Sequence, residues 1–330
     1  MRILGKTNLK VNEIGCGGIP IQRVSQEVVN DMINEMIKQN INFIDTARGY
    51  SISEELLGNA LVGKRDKFIL ATKSMSRTYE GMKKDIEISL NNLKTNYIDI
   101  YQIHNVSLKD DYKGAYEALV EAKEKGLIGH IGVTSHSLEF MENIIKTDMF
   151  ETIQFPYNIV ETQAEEVFKK AKENNIGIIV MKPLAGGAIT NAKVAIKYIL
   201  NNENISVVIP GMESVDQVKE NNKIKEGQYT DLEIKNIKEV KQLLDSDFCR
   251  RCGYCLPCTK GINIPFVFLC EGYVTRYNLG EWGLSRYQTL PAKASDCISC
   301  KVCESRCPYK LKISEKMKKV AKIMENKDEK

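Results

Sequence analysis

The chain has 330 residues, 43% hydrophobic and 27% charged, which suits one large globular domain with a small appendage and excludes a disordered or collagen-like chain. No apolar run approaches the ~20 residues of a membrane span, and the opening MRILGKTNLKVNEIG lacks a signal peptide's apolar core, so a cytoplasmic protein without a membrane partner is expected. The net charge of +4 balances 47 basic against 43 acidic residues without a basic block, which argues against a nucleic-acid partner.

In chain order, RILGKTNLKV (2–11) predicts a small hairpin, suited to closing the floor of a barrel. Strands are then predicted at 11–15 (VNEIG), 42–45 (NFID), 67–72 (KFILAT), 97–103 (YIDIYQI), 127–134 (LIGHIGVT), 151–155 (ETIQF), 176–181 (IGIIVM) and 205–209 (ISVVI). Helical patterns lie between them. In 26–39, Val29, Ile33, Met36 and Ile37 share a face, and in 162–173 Ala164, Val167, Phe168 and Ala171 do the same. The strands are mostly apolar, as expected where both faces are covered. Eight strand–helix units in succession fit a (β/α)₈ TIM barrel. An open doubly wound sheet would need a Gly-rich fingerprint after its first strand, which GCGGIP (15–20) matches poorly. A further helix is predicted at 230–244, with Thr230 and Glu233 as a capping box and apolar stripes from Leu232, Ile234, Ile237, Val240, Leu243 and Leu244.

Cysteine usage then changes abruptly. Cys16 is the one cysteine of residues 1–248, and 249–307 contain the other nine. This places a domain boundary near 245, with a barrel at 1–245 and a second domain at 246–330. A reducing compartment disfavours disulfides, so the cluster reads as metal-binding.

Active sites of such barrels lie at the C-terminal ends of the strands. Asp45 ends the second strand, Tyr50 follows in its loop, Lys73 ends the third and His104 the fourth. Singly, each has a structural explanation; four titratable groups at neighbouring strand ends point to chemistry. The strings FIDTARGYSISEELLG (43–58), ATKS (71–74) and YQIHN (101–105) resemble the aldo-keto reductases, over roughly residues 1–225. The resemblance implies a catalytic tetrad of Asp45, Tyr50, Lys73 and His104. Tyr50 would donate the proton to a carbonyl oxygen, Lys73 would lower the phenol's pKa, Asp45 would hold Lys73, and His104 would orient the substrate.

It also implies a nicotinamide cofactor, NAD or NADP. Thr134, Ser135 and Gln154 would grip the carboxamide. MKPLAGGAI (181–189), with Met181, Leu184, Gly186 and Gly187, would form the pyrophosphate loop. IPGMESVDQVKEN (209–221), with Gly211, Ser214, Gln217, Glu220 and Asn221, would hold the adenosine. Two positions depart from the family. Gly211 and Gln217 stand where many relatives clamp the 2′-phosphate with Lys and Arg, and Met181 stands where many stack a Tyr on the nicotinamide.

The run Cys297-x₂-Cys300-x₂-Cys303-x₃-Cys307-Pro308 matches the bacterial iron–sulfur spacing. Cys249-x₂-Cys252-x₂-Cys255-x₂-Cys258 is similar, but its last gap is one residue shorter and Thr259 replaces the proline. GINIP (261–265) and KLKI (310–313) follow the two runs as a faint duplication. The module resembles the ferredoxin-like tail of a subset of aldo-keto reductases. By the crossed rule, Cys249, Cys252, Cys255 and Cys307 would bind one 4Fe-4S cluster, and Cys297, Cys300, Cys303 and Cys258 the other. Two four-Cys zinc sites are the rival. Cys16 and Cys270 read as small buried hydrophobes. The aromatic residues of 259–296, among them Phe266, Phe268, Tyr273, Tyr277, Trp282 and Tyr287, read as packing of the small module onto the barrel mouth.

Three functions follow. The first is an NAD(P)H-dependent carbonyl reductase acting on a small-molecule aldehyde or ketone. The second is an electron-transfer oxidoreductase linking the clusters to a barrel-bound nicotinamide or FMN, with a ferredoxin or flavodoxin as partner. The third is a redox-sensing regulatory subunit. A nicotinamide gives up a hydride while a cluster accepts single electrons, and a flavin converts one to the other.

Overall fold

The computed structural model describes residues 1–244, 248–251 and 253–325, which form two compact units. The first comprises Met1–Leu184 and Asn191–Gln228, the second Ala185–Thr190 and Tyr229–Lys330. The predicted ligand Cys252 and the boundary at 245 lie outside the described residues. Among the described residues no helix is long and apolar enough to cross a membrane.

The first unit opens with the expected hairpin, β1 (Arg2–Ile3) antiparallel to β2 (Lys10–Val11). Gly5 turns it with φ +53, and a Cβ there would lie 2.3 Å from the Gly177 nitrogen, so only glycine fits. Leu4 and Val11 are fully buried against Phe43, Ala71, Ile100, Ile179 and Val207, closing the barrel interior from one end.

Eight parallel strands follow, alternating with helices. They are β3 (Cys16–Gly17), α1 (Gln26–Lys38), β4 (Phe43–Asp45), α2 (Ser53–Leu61), β5 (Ile69–Ser74), α3 (Tyr79–Asn92), β6 (Ile98–Ile103) and α4 (Lys113–Glu124). The series continues with β7 (Ile128–Thr134), α5 (Leu138–Ile144), β8 (Thr152–Pro156), α6 (Glu165–Glu173), β9 (Gly177–Met181), α7 (Ala192–Leu200), β10 (Val207–Val208) and α8 (Val215–Asn222). Each strand pairs with the next in sequence, from β3 through β10. Parallel bridges Ile14–Val208 and Gly17–Gly211 join the two edges, so the sheet closes.

The helices start where Ser, Thr or Asn side chains accept an orphan N–H: Ser25 from Val28, Thr78 from Gly81, Ser137 from Phe140, Asn191 from Val194 and Ser214 from Gln217. Val29, Ile33 and Met36 of α1 are buried with Met32 beside them, and Ala164, Val167, Phe168 and Ala171 of the α6 segment are buried too. The first strand differs from the prediction at 11–15. Asn12 accepts the Ile14 N–H on its own side chain (3.0 Å), an Asx turn, so Val11 is left to the hairpin and the barrel strand starts later.

The second unit contains α9 (Asp231–Leu244), α10 (Ile264–Thr275), α11 (Gly280–Gln288), the short α12 (Val302–Ser305) and α13 (Ile313–Glu325). The capping box of α9 is present, with Thr230 and Glu233 exchanging bonds of 3.0 and 3.3 Å. Its apolar stripes are not a core: Leu232 is 76% and Leu243 73% exposed. Caps and the Lys235–Glu239 pair hold the helix instead.

Glu151, just before β8, shows how a single carboxylate ties neighbouring elements. It meets His130 Nδ1 at 2.7 Å and accepts from Lys123 Nζ at 2.6 Å and the Ile131 N–H at 3.0 Å. Burial alone would raise its pKa, but these bonds outweigh it and hold the group at about 2, against an ordinary 4.5. A depressed folded-state pKa contributes stability that is present above 4.5 and lost as pH falls toward about 2. Glu151→Gln is therefore expected to lower the urea midpoint at neutral pH and to flatten its decline across that acid window; an unchanged acid limb would contradict this account.

Candidate active site and thiol-lined cavities

Strand alternation builds the barrel interior in layers. Phe43, Ala71 and Ile100 face inward on β4, β5 and β6 in the apolar layer. Two residues further on, Asp45, Lys73 and Gln102 make a polar layer, each no more than 2% exposed. The Lys73 ammonium donates to Asp45 Oδ2 at 2.5 Å and to the Thr46 carbonyl at 2.7 Å. Gln102 donates to the other Asp45 oxygen at 3.2 Å, and Gln154 of β8 approaches Oδ2 at 3.5 Å. Burial lowers the Lys73 pKa, and the Asp45 charge partly restores it.

Tyr50 and His104 stand beside this pair. Lys73 Nζ lies 5.1 Å from the Tyr50 ring centre, and the Tyr50 and His104 rings meet edge-on at 6.0 Å. The four predicted catalytic residues are therefore neighbours. The loop carrying Tyr50 is pinned along its length: Arg48 N–H donates to the Lys73 carbonyl (3.0 Å) and Ser53 N–H to the Tyr50 carbonyl (2.8 Å). Behind it, buried Glu54 accepts from Arg48, Thr72 and Ser89 at 2.7–2.8 Å.

The predicted nicotinamide contacts divide. Thr134 Oγ1 accepts the Asn105 N–H (2.7 Å), and the Ser135 hydroxyl donates to the Val106 carbonyl (2.6 Å), so both hydroxyls tie loops together. Gln154 is different: its buried Oε1 accepts no hydrogen bond among the described residues, an acceptor suited to a carboxamide N–H. Met181 and Leu184 are half-buried. Gly186 and Gly187 adopt φ +68 and +83, which only glycine takes freely. In the α8 segment, Ser214 caps the helix and Gln217 Oε1 accepts the Glu213 N–H (2.8 Å); Asn221 is buried, while Gly211 and Glu220 are exposed. Glu213, before α8, pairs with Arg23 at 2.5 Å. Gln102 was also missed; its position two residues before His104 places it on the inward face by strand alternation.

Cys16 and Cys270 are buried as expected, and burial pushes their thiols up to about 12 and about 11. Nine cysteines are described. The remaining seven line two cavities of the second unit. One has Cys249, Cys255 and Cys307 on its wall; the other has Cys258, Cys297, Cys300 and Cys303. Each thiol set thus draws on both sequence runs. Among the described residues no three His, Cys, Asp or Glu side chains gather tightly enough for a single metal ion. Thiols spread around a cavity suit a polynuclear cluster better than a lone zinc.

The two halves repeat in backbone geometry. Arg251 and Gly253 take positive φ in the first, Ser299 and Lys301 in the second, at a constant offset of 48 residues. Past the shortened gap the offset becomes 49: Gly261 and Lys310 are both left-handed, and their N–H groups donate to Cys258 and Cys307. Buried Ile262 and Ile264 then match Leu311 and Ile313. The faint duplication of the sequence is a real structural repeat that absorbs a one-residue deletion.

Asp45→Asn would leave the buried Lys73 ammonium without its counter-charge. The loss should be roughly 3–5 kcal/mol, read from urea unfolding. Adding Lys73→Met should recover much of it, and no recovery would show that the pair is not the source.

Comparison with known proteins agrees with this architecture. Residues 13–194 match the aldo/keto reductase family, and residues 248–312 match a 4Fe-4S dicluster domain. The chain is 27% identical over 300 residues to L-galactose dehydrogenase of Arabidopsis thaliana, covering 74% of this chain and 94% of that one. It is 26% identical over 221 residues to the NADH-specific methylglyoxal reductase of Escherichia coli, covering 57% and 68%. An aldo-keto reductase structure from Bacillus halodurans in its holo form superposes with a TM-score of 0.66 at 26% identity, covering 72% and 95%. The closed parallel barrel with its polar inner layer and the family match over 13–194 together establish that this chain belongs to the aldo/keto reductase family and carries a C-terminal 4Fe-4S dicluster domain.

Proposed function

We propose that this oxidoreductase is an NAD(P)H-dependent carbonyl reductase in which Tyr50 is the proton donor. The observation that carries the reading is the buried Lys73 ammonium, held by Asp45 at 2.5 Å and lying 5.1 Å from the Tyr50 ring. When bound, the reduced nicotinamide supplies a hydride to the carbonyl carbon. Tyr50 gives its phenolic proton to the carbonyl oxygen, and the positive charge of Lys73 stabilises the phenolate left behind. His104, edge-on to Tyr50, is suited to donate a hydrogen bond to the same oxygen and fix its orientation. Asp45 keeps Lys73 charged and in place. Gln154, with its open acceptor, would hold the nicotinamide carboxamide. The relatives' names place small carbonyls and sugars among first substrates to try, with methylglyoxal and L-galactose as probes.

Tyr50→Phe should lower kcat about 10²–10⁴-fold with KM little changed, measured with each nucleotide and a panel of aldehydes. Turnover that survives the substitution would sink the assignment.

The two thiol sets would hold one 4Fe-4S cluster each, with Cys252 completing the set of Cys249, Cys255 and Cys307. A cluster supplies one-electron chemistry when bound. The cavities share Ile264 and Ile313 as wall residues, which favours a second reading in which electrons pass between them. Protein purified without oxygen should contain about eight irons, and Cys258→Ser combined with Cys303→Ser should retain about half, because both act on one set. Near-complete loss of iron would mean an uncrossed arrangement. Bleaching of the absorbance by NADPH or NADH would select electron transfer; nucleotide consumed only with a carbonyl would select reduction beside passive clusters.

A further inference from the structure

Between β5 and α3, one side chain reaches across to the strand end that carries His104. The Arg77 guanidinium donates to three backbone carbonyls: Nη1 to Met75 at 3.0 Å, and Nη2 to His104 at 3.0 Å and to Asn105 at 2.9 Å. Its Nε lies 3.5 Å from the Asp110 carboxylate, which also accepts the Ser107 N–H at 2.6 Å and the Ser107 hydroxyl at 2.8 Å. One guanidinium therefore touches both ends of the loop that follows β6. Arg77 is itself anchored. It precedes Thr78, the N-cap of α3, and its carbonyl accepts the Ala115 N–H of α4 at 3.1 Å.

These bonds offset a local cost. Asn105 holds left-handed backbone at φ +56, an uncommon conformation for any residue but glycine. That conformation turns the chain out of β6 directly after His104. Both peptide groups flanking His104 are fixed, because its N–H donates to the Ser74 carbonyl at 2.8 Å and its carbonyl accepts from Arg77. From β7, Thr134 Oγ1 accepts the Asn105 N–H at 2.7 Å, and the Thr134 carbonyl accepts the Val106 N–H at 2.8 Å. With both peptides held, the Cα–Cβ direction of His104 is set, and with it the arc its ring can sweep. The planar fork of an arginine suits carbonyls arriving from two loops; a lysine lacks that fixed geometry.

We infer that Arg77 is the positioning residue of His104. It keeps the imidazole edge-on to Tyr50 at 6.0 Å, the place from which His104 orients the carbonyl oxygen. Its part in the reaction rests on the reductase reading given above; its clamp on His104 does not.

The chain has three histidines, His104, His130 and His136, so NMR of full-length protein labelled in the histidine rings and purified without oxygen resolves each by substitution. Arg77→Met should move or broaden the His104 signal. It should also move that of His136, whose Nδ1 meets Asn105 Oδ1 at 2.8 Å. His130, held by Glu151 at 2.7 Å, should stay in place and report an intact fold. An unmoved His104 signal, or three signals moving together, would overturn the proposal. Where Arg77→Met fails to fold, Arg77→Lys keeps a charge facing Asp110 and carries the same readout. In turnover, Arg77→Met should lower kcat for a reducible aldehyde by up to about 10²-fold, with the Kd of NADPH or NADH unchanged. The loss should vanish in a His104→Gln background, since the two residues act as one unit. A loss that persists there would also overturn the proposal. The two readings fail separately: if His104→Gln leaves turnover intact while Arg77→Met still shifts the His104 signal, the clamp stands and the role of His104 in carbonyl reduction falls.

Discussion

A lysine ammonium enclosed inside a β-barrel is costly unless everything around it is arranged to keep it charged. Lys73, 1% exposed, is in that position, and much of the first unit can be read as the arrangement. Asp45 supplies the counter-charge and the Thr46 carbonyl a second acceptor. Gln102 takes up the other carboxylate oxygen, so the aspartate cannot swing away. Glu54 and Arg48, on the far side of the loop, hold the segment that presents Tyr50. Apolar residues one layer below, sealed by Leu4 and Val11 of the hairpin, keep the charge facing one way. The phenol thus stands beside a cation that cannot relax into water, which is what electrostatic stabilisation of a developing phenolate requires.

The second unit is organised on a different principle. Its core gathers Ile262, Ile264, Val267, Leu311, Ile313 and Met317, but cysteines interleave with them on every side. Several non-glycine residues there hold left-handed backbone, Arg251, Ser299, Lys301 and Lys310 among them, each at a small conformational cost. A 4Fe-4S dicluster domain of this size would add the clusters' binding energy to the packing of its own small core, as metal-dependent domains do.

Much of this was legible in the sequence because it rests on short-range periodicity and spacing. Asp45, Lys73 and His104 are readable as strand-end residues since the order of strands fixes which ends converge, and Tyr50 follows from the motif around it. The cysteine spacings suggest crossed sets, and among the described residues each cavity takes thiols from both runs. What the sequence could not carry has physical causes. Thr134 Oγ1 accepts the Asn105 N–H and the Ser135 hydroxyl donates to the Val106 carbonyl, loop bonds that spacing along the chain does not reveal. The apolar pattern of α9 looks like a core face, but periodicity reports amphipathicity without saying what covers it.

The thiol sets also differ in how they meet the solvent. Cys255 is 8% exposed, whereas Cys300 is on the surface next to Ile298 at 60%. Dissolved dioxygen would reach the outer site first, since oxidation of sulfur and iron follows access. In air the two sites should therefore age at different rates. A partly oxidised preparation would be a population enriched in one half-loaded species, with the more enclosed site intact, rather than a random mixture.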